Sequence, residues 1–383
     1  MRASIIRCTT CRRLSRPEVT ELLWRDPPLA TIDTPKGQLR LTLSVGSGLS
    51  RRPGDMAGRV WGLGDRGPNL KIRTAIKLYG LETLWPLKDM KGAKMLPLPT
   101  FQPMLAELQV GAERVELVRT VPLCTPAGPL LGRPLPGGDN ARMEPTFDIT
   151  GQPLDPTPAG CDPEGVAALA DGGFWISEEY GPSLLKVDAD GLVQARWVPQ
   201  GLDLVNAEAR LPAKALRRRL NRGFEGLCLS GDERWLYCVF QSAPDGDTPL
   251  ATLIWKLDAR DGTLAGEYIY PFDPPDSFPR DLAAGEASAD DLKACELIWL
   301  GPERLLVLER MTRDARLYRV DLATPGPLSK SLMFTTDDHP QVAQDLEGAT
   351  LLSDREVLLA TDNDFAVEGA ETRFYRLTWG APL

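Results

Sequence analysis

Apolar runs of four to eight residues recur along the chain in pairs, each pair split by a short polar turn, the pattern of a β-hairpin. The clearest copy runs from Asp345 to Asp364: D-L-E-G-A-T-L-L-S-D-R-E-V-L-L-A-T-D-N-D. A hairpin brings its outer ends together, so Glu347 is expected beside Asp362, Asn363 and Asp364. Acids gathered this way repel one another and need a cation, a basic partner or water. The same phrase recurs. Glu164-Gly165 opens a unit that closes on Glu178-Glu179, Glu225-Gly226 one that closes on Gln241, and Glu296 one that closes on Glu309-Arg310. A degenerate earlier copy, L-T-L-S-V-G-S-G-L-S, closes on Asp65-Arg66. Units of this size, each holding several strands, are a propeller signature. The expectation is an all-β chain forming a single β-propeller of about six blades, with five to seven allowed. Equivalent hairpin ends of a propeller meet at one mouth of its channel, so one acid per blade becomes a ring.

Between these units the pattern is less regular. Residues 38–46 alternate as a strand, and Glu113 to Val121 reads as another. Residues 70–105 are ambiguous, with Pro86, Pro97, Pro99 and Pro103 breaking any long element. Residues 124–160 are rich in Pro and Gly and fit a long loop or an insertion over the mouth. Leu211 to Leu220 is the best helix segment, with Pro near its start and cations at its end. Arg217, Arg218 and Arg219 within it fit a solvated face better than an anion site. Residues 273–292 form a polar excursion, either lid or surface loop. Residues 1–35 read as a poorly ordered lead-in to a domain spanning 36–383.

Composition then removes classes of chemistry. A net charge of −9 argues against nonspecific binding to nucleic acid or an anionic membrane. No apolar run is long enough to span a membrane. The first sixteen residues carry five Arg and no acid, and no apolar stretch follows, so no export signal is read there. Cys8 and Cys11 form a C-x-x-C with no second pair, which makes a zinc or redox role unexpected. Cys228 and Cys238 fall inside apolar runs as small buried side chains. The chain has one histidine, His339, which rules out a His-rich zinc site and paired-His acid–base work. His339 sits in the loop T-T-D-D-H-P and fits an ordinary exposed loop residue.

Taken in order, D-P-E-G, N-R-G-F-E-G-L, L-L-V-L-E-R, D-L-E-G-A and T-D-N-D resemble the phytase-like family described as "esterase-like activity of phytase". W-G-L-G-D-R-G-P-N resembles that family's first block. The resemblance covers roughly residues 38 to 380 and implies a β-propeller of bacterial, periplasmic or secreted origin with acidic catalytic residues. By block it carries over Asp65 with Arg66, Glu164, Glu179, Asn221, Arg222 with Glu225, Glu309 with Arg310, Glu347, and Asp362 with Asn363. The aspartate-dense blocks of alkaline β-propeller phytases are absent from the sequence, so phytate does not follow.

The chemistry left is that of oxygen donors. Carboxylates suit hard divalent cations, Ca2+ first, with Mg2+ or Mn2+ as alternatives. Asp65, Glu164, Glu225, Glu347 and Asp362 are the expected cation ligands. Arg66, Arg222 and Arg310 are placed to bind phosphate oxygens. Glu179 or Glu309, its pKa raised by crowding, would serve as the base. The function expected is metal-dependent hydrolysis of a small-molecule phosphate ester by a monomer. A carboxylesterase or lactonase of calcium-propeller type is one alternative, and a non-catalytic binding propeller another. Equally, Glu-Arg pairs such as Glu309-Arg310 can serve only to tie blade to blade.

Overall fold

The computed structural model describes residues 16–136, 143–323 and 326–383. The C-x-x-C of Cys8 and Cys11 lies outside them. Among the described residues, five antiparallel sheets of four or more strands follow one another along the chain. Blade 1 comprises Gly48–Ser50, Arg59–Leu63, Met104–Val110 and Val115–Pro122. Blade 2 comprises Pro163–Ala168, Phe174–Glu178, Ser183–Val187 and Val193–Pro199, with Glu208–Leu211 added parallel at its edge. Blade 3 runs through Phe224–Leu229, Trp235–Phe240, Ala251–Asp258 and Leu264–Pro271, and blade 4 through Lys293–Gly301, Arg304–Arg310, Ala315–Asp321 and Lys330–Thr335. Blade 5 holds Leu346–Ser353, Glu356–Thr361 and Phe374–Thr378, completed by Glu18–Leu22 from the other end of the chain. The first strand of each blade touches that of the next, and blade 5 returns to blade 1. This closed ring is a β-propeller. Its axial sheets number five among the described residues, at the lower end of the expected range.

Two expectations are corrected. The lead-in is structured from Glu18 onward, because Glu18 to Leu22 pair with Thr378 to Phe374 and complete blade 5. Trp24 also packs edge-on against Phe374, with ring centroids 5.3 Å apart. Pro28–Thr34 and Gly37–Thr42 then form a hairpin of their own. The expected helix at 211–220 is instead the edge strand Glu208–Leu211 and one short 3-10 turn, Ala213–Arg217. It stops because Arg218 is extended (φ −53°, ψ 144°) and its buried guanidinium donates to the Tyr180 carbonyl at 2.8 Å. Arg217 and Arg219 pair with Asp247 and Asp290. The longest helix among the described residues, α1 (Ile72–Tyr79), falls in the ambiguous stretch. It buries Ile72, Ala75 and Ile76 and ends on Gly80 at φ 68°.

Apolar side chains fill the wedges between blades. Trp61 of blade 1 meets Phe174 of blade 2 at 4.7 Å, and Trp175, Trp197, Phe224, Phe240 and Trp255 cluster between blades 2 and 3. The axis itself is tight. A Cβ on Gly165 would lie 2.4 Å from the Glu225 carbonyl oxygen, and one on Gly226 2.5 Å from the Glu296 Cα. The glycine after each opening glutamate is therefore required by the approach of neighbouring inner strands. In blade 4 the chain departs from this rule. Its bulge falls between Ala294 and Glu296, so Cys295 occupies the glutamate position and Glu296 the glycine position. The Glu296 carboxylate crosses the axis and accepts from the backbone N–H of Leu49 (3.0 Å), Leu297 (3.1 Å) and Leu227 (3.4 Å). Leu49, Leu227 and Leu297 also line a cavity of about 350 Å3 at the end of the axis away from the acidic residues.

Candidate functional site

Four of the five inner strands carry a register shift where the opening residue stands: at Glu164, at Glu225-Gly226, at Cys295 and at Glu347. A bulge of this kind re-aims a side chain and lets strand pairing end early. The second strand of each blade delivers the residue opposite: Asp65, Glu179, Gln241, Arg310 and Asp362. Asp65, Glu164, Glu225, Glu347 and Asp362 line one cavity of about 190 Å3 together with Arg66, Arg222 and Arg310. Carboxylates up to about 300 residues apart in the chain thus share a mouth, as the repeated hairpins predict.

The mouth divides into two halves. On one side the ligand atoms of three overlapping triplets lie within 4.8 Å of one another, Asp65–Asp162–Glu164, Glu164–Glu179–Glu225 and Asp65–Asp362–Asp364, and a fourth, Glu225–Cys295–Glu347, reaches across to the other side. Burial, followed by like-charged neighbours, pushes Asp65, Glu164, Glu225 and Asp362 well above the usual carboxylate range. Burial raises Glu179 to about 8, with Asp162 the largest charged contributor. Burial also lifts Asp162 to about 6, against the opposing pull of Arg66. Asp362 accepts from the Ser44 hydroxyl at 2.5 Å, and Glu225 Oε1 from Gln241 Nε2 at 2.5 Å. The other Glu225 oxygen, Oε2, is buried with no hydrogen-bond partner.

The second half is cationic. Arg310 is buried and spans Glu347, Asp345 (3.0 Å) and the Cys295 sulfur (3.2 Å). Arg222 donates to Gln241 Oε1 at 2.6 Å, and burial holds its guanidinium below the ordinary value. Lys293 is likewise depressed, first by burial and then by Arg310 and Arg222.

The expected assignments sort accordingly. Glu164, Glu225, Asp65 and Asp362 sit in the acidic half, and Glu179 stands with them. Glu347 reaches the mouth but is engaged by Arg310, on the cationic side. Arg66 lines the mouth, and its Nε is buried with no hydrogen-bond partner. Its Nη1 is held by Glu144, Asp162 and Asn221, each at 2.8 Å, so it braces the wall. Glu309 is not at the mouth. Alternate residues of a strand face opposite ways, so while Arg310 points to the mouth, Glu309 is buried between blades. There it accepts from Tyr270 (2.6 Å), Lys330 (2.6 Å) and the Asp273 amide (2.7 Å). Glu178 is also structural, bound by the Asp162, Tyr180 and Gly181 amides, Ser183 and Arg196. Asn363 accepts from the Phe365 amide and donates to Thr42, shaping the loop after Asp362. Across Asp364, Phe365 and Ala366 that loop runs at φ 47°, 54° and 59°, costly for residues with side chains and a common trait of functional loops. His339 stacks on Phe334 outside the cavity. The excursion at 273–292 is anchored to blade 4 by Arg280–Asp314 at 2.7 Å and lines no part of the mouth.

Sequence reasoning missed Asp162, Cys295 and Lys293. Asp162 directly precedes the P-E-G motif. Lys293 and Cys295 were hidden by taking Glu296, one residue late, as the opening acid of its unit.

In the acidic half the donors are all oxygen and crowded. With the unpartnered Glu225 oxygen among them, this set fits a hard divalent cation. A closed ring of β sheets with such a mouth defines a β-propeller carrying a candidate hydrolytic site. A family model described as "Phytase-like: Esterase-like activity of phytase" matches residues 45–365. The chain belongs to this family and folds as a β-propeller. A secreted protein of Arthroderma benhamiae, described as uncharacterized, is 34% identical over 104 residues, covering 22% of this chain and 20% of that protein. Regucalcin from Agrobacterium tumefaciens, described as calcium-binding, aligns over 87% of this chain and 91% of its own at 11% identity, with a TM-score of 0.38. The PQQ-bound aldose sugar dehydrogenase of Streptomyces coelicolor aligns over 95% and 98% at 10% identity, with a TM-score of 0.38. Likenesses this distant say nothing about what the present chain binds.

Proposed function

We propose that the mouth is the active site of a divalent-cation-dependent phosphoesterase. The observation that carries this reading is the division of one small cavity into a carboxylate half and a cationic half. Asp65, Glu164, Glu225 and Asp362 would hold the ion, with Glu225 Oε2 supplying a ligand atom that nothing else satisfies. When bound, such an ion polarises a phosphoryl oxygen and acidifies water. Arg222 and Lys293 receive the remaining phosphoryl oxygens, as charge-assisted donors in a partly desolvated site. Arg310 is held by Glu347 and Asp345 and fixes that wall. Glu179, raised to about 8 by burial, borders Glu164 and Glu225 behind the cavity wall, where its Oε1 accepts from the Gly223 amide at 3.0 Å, and would serve as a proton reservoir for the site. A carboxylesterase or lactonase has the same acidic half to draw on, but the cationic half favours an anionic substrate.

The test is hydrolysis of alkyl and aryl phosphate mono- and diesters, with lactones in parallel, at fixed Ca2+, Mg2+ or Mn2+ and after chelation. Phosphoester turnover that EDTA abolishes and readdition restores is the expected result. Turnover of lactones but no phosphoester, or turnover indifferent to chelation, contradicts the proposal.

A further inference from the structure

The end of the axis away from the acidic residues carries a cup of about 350 Å3 to which all five blades contribute. Its wall is apolar: Leu49 of blade 1, Ala168 of blade 2, Leu227 of blade 3, Ile298 of blade 4 and Ala349 of blade 5 line it, all buried. The amides of Leu49, Leu227 and Leu297 bond the Glu296 carboxylate, so the axial bridge backs the cup. Three charged residues line it: Arg51, Arg52 and Glu233. Two of them are committed elsewhere. Arg52 donates to the Leu169 carbonyl at 2.8 Å and the Gly172 carbonyl at 2.5 Å, and its guanidinium lies over the Trp61 and Phe174 rings. Glu233 accepts from the Ala170 amide at 2.6 Å. Arg51 differs. Its Nη1 donates to the Leu352 carbonyl at 2.7 Å, but its Nε is buried with no hydrogen-bond partner. A buried N–H of a cation is costly without an acceptor, and Arg51 presents one beside apolar walls.

We propose that this cup binds a small monocarboxylate with an apolar tail, its head on Arg51 and its tail along the inner-strand wall. The proposal is independent of the phosphoesterase reading, because the cup and the mouth share no lining residue. The charges select the head. One uncommitted guanidinium edge answers one negative charge, and a planar carboxylate fits that edge better than a hydroxyl or an ammonium. A phosphate dianion brings a second charge, which Glu233 opposes and Arg52, spent on carbonyls, does not answer. The wall selects the tail, since Leu49, Ala168, Leu227, Ile298 and Ala349 offer methyl and methylene surface. A tail held here packs on the leucines whose amides Glu296 binds, so the acid stabilises the closed ring.

The experiment titrates butyrate, hexanoate, octanoate and decanoate into the full chain, read by calorimetry and by the melting temperature. Octanol, octylamine and octyl phosphate are the comparisons. Affinity is expected to rise about fourfold per added methylene and to level off where the tail fills the cup. Octanoate is expected to raise the melting temperature and to bind about tenfold or more tighter than each comparison compound. Arg51→Gln removes the preference for the acid and leaves octanol within about twofold. Leu351→Glu, a half-buried position of the same cup, sets a like charge against the head and weakens octanoate by about tenfold or more. Circular dichroism verifies the fold of both variants, and if one fails to fold, the other and the wild-type series still decide. Failure of every acid to bind overturns the inference. So does equal affinity for octanol, tighter binding of octyl phosphate, or octanoate binding that the folded variants leave unchanged.

Discussion

Glu296 occupies the place that glycine fills in the neighbouring blades, and it offers a sharp test of how the ring is closed. Its carboxylate is fully buried and accepts from the Leu49, Leu227 and Leu297 amides, which belong to blades 1, 3 and 4. Glu296→Ala leaves these donors without a partner on the axis. An unsatisfied buried donor costs about 1–3 kcal/mol, so three cost about 3–9 kcal/mol, reduced where water enters. Glu296→Gln keeps one accepting oxygen but turns an NH2 toward N–H groups, and costs about 1–3 kcal/mol. Burial raises the Glu296 pKa well above its usual value, despite the amides that lower it. A carboxyl raised in the folded state contributes stability that is complete below its unfolded pKa and is lost as pH rises through the folded one. The gap between wild type and Glu296→Gln should therefore narrow as pH rises above about 4.5, the ordinary value. Urea unfolding followed by tryptophan fluorescence at several pH values measures both effects, with the denaturant slope as a check on two-state behaviour. If Glu296→Ala costs less than about 1 kcal/mol, the axial carboxylate does not hold the blades together and the account of ring closure is wrong.

Glu309→Gln breaks a buried interblade network and should cost about 2–4 kcal/mol by calorimetry. It should leave cation affinity and phosphoester kinetics within about twofold, and loss of activity at unchanged stability would restore Glu309 to the site. In chelator, the raised carboxyls Asp162 (about 6) and Glu179 (about 8) make stability fall as pH rises from about 5 toward 8. Excess Ca2+ should flatten that slope in a thermal scan, and a melting temperature insensitive to pH in EDTA would refute the crowding argument. Arg222→Ala should raise KM for phosphate esters about tenfold or more while leaving cation affinity intact or higher, since it removes a positive neighbour. A loss of cation affinity in that variant would contradict the division of the mouth into two halves.

The ring was legible because three of the five hairpin units repeat a Glu-Gly at a fixed place, and the axial glycines mark the inner strands. Glu164, Glu225 and Asp362 follow from that alone. Glu309 and Arg310 show where such reasoning ends. The unit correctly marks a strand terminus, but the pleat decides which of two adjacent residues faces the mouth, and a bulge at Cys295 shifts that register by one. Arg66 was found for the right place, but its bracing of the wall was not, because its partners Glu144 and Asp162 come from a distant Pro-rich segment and from blade 2. Lys293 and the cup around Arg51 depend on how inner strands from separate blades meet along the axis. Blade closure by Glu18–Leu22 was invisible for the same reason. A short edge strand such as E-V-T-E-L gains its stability from Phe374–Thr378 across the chain and carries little signal of its own.

The most direct test of the central claim is calorimetric titration of Ca2+, Mg2+ and Mn2+ into chelator-treated protein, alongside a Glu164→Gln, Glu225→Gln double variant whose fold is verified by circular dichroism. The account predicts stoichiometric binding of at least one of these ions to the wild type, with protons released near pH 7, and its loss in the variant. A folded wild type that binds none of them, or a variant that binds them as well as the wild type, would contradict it.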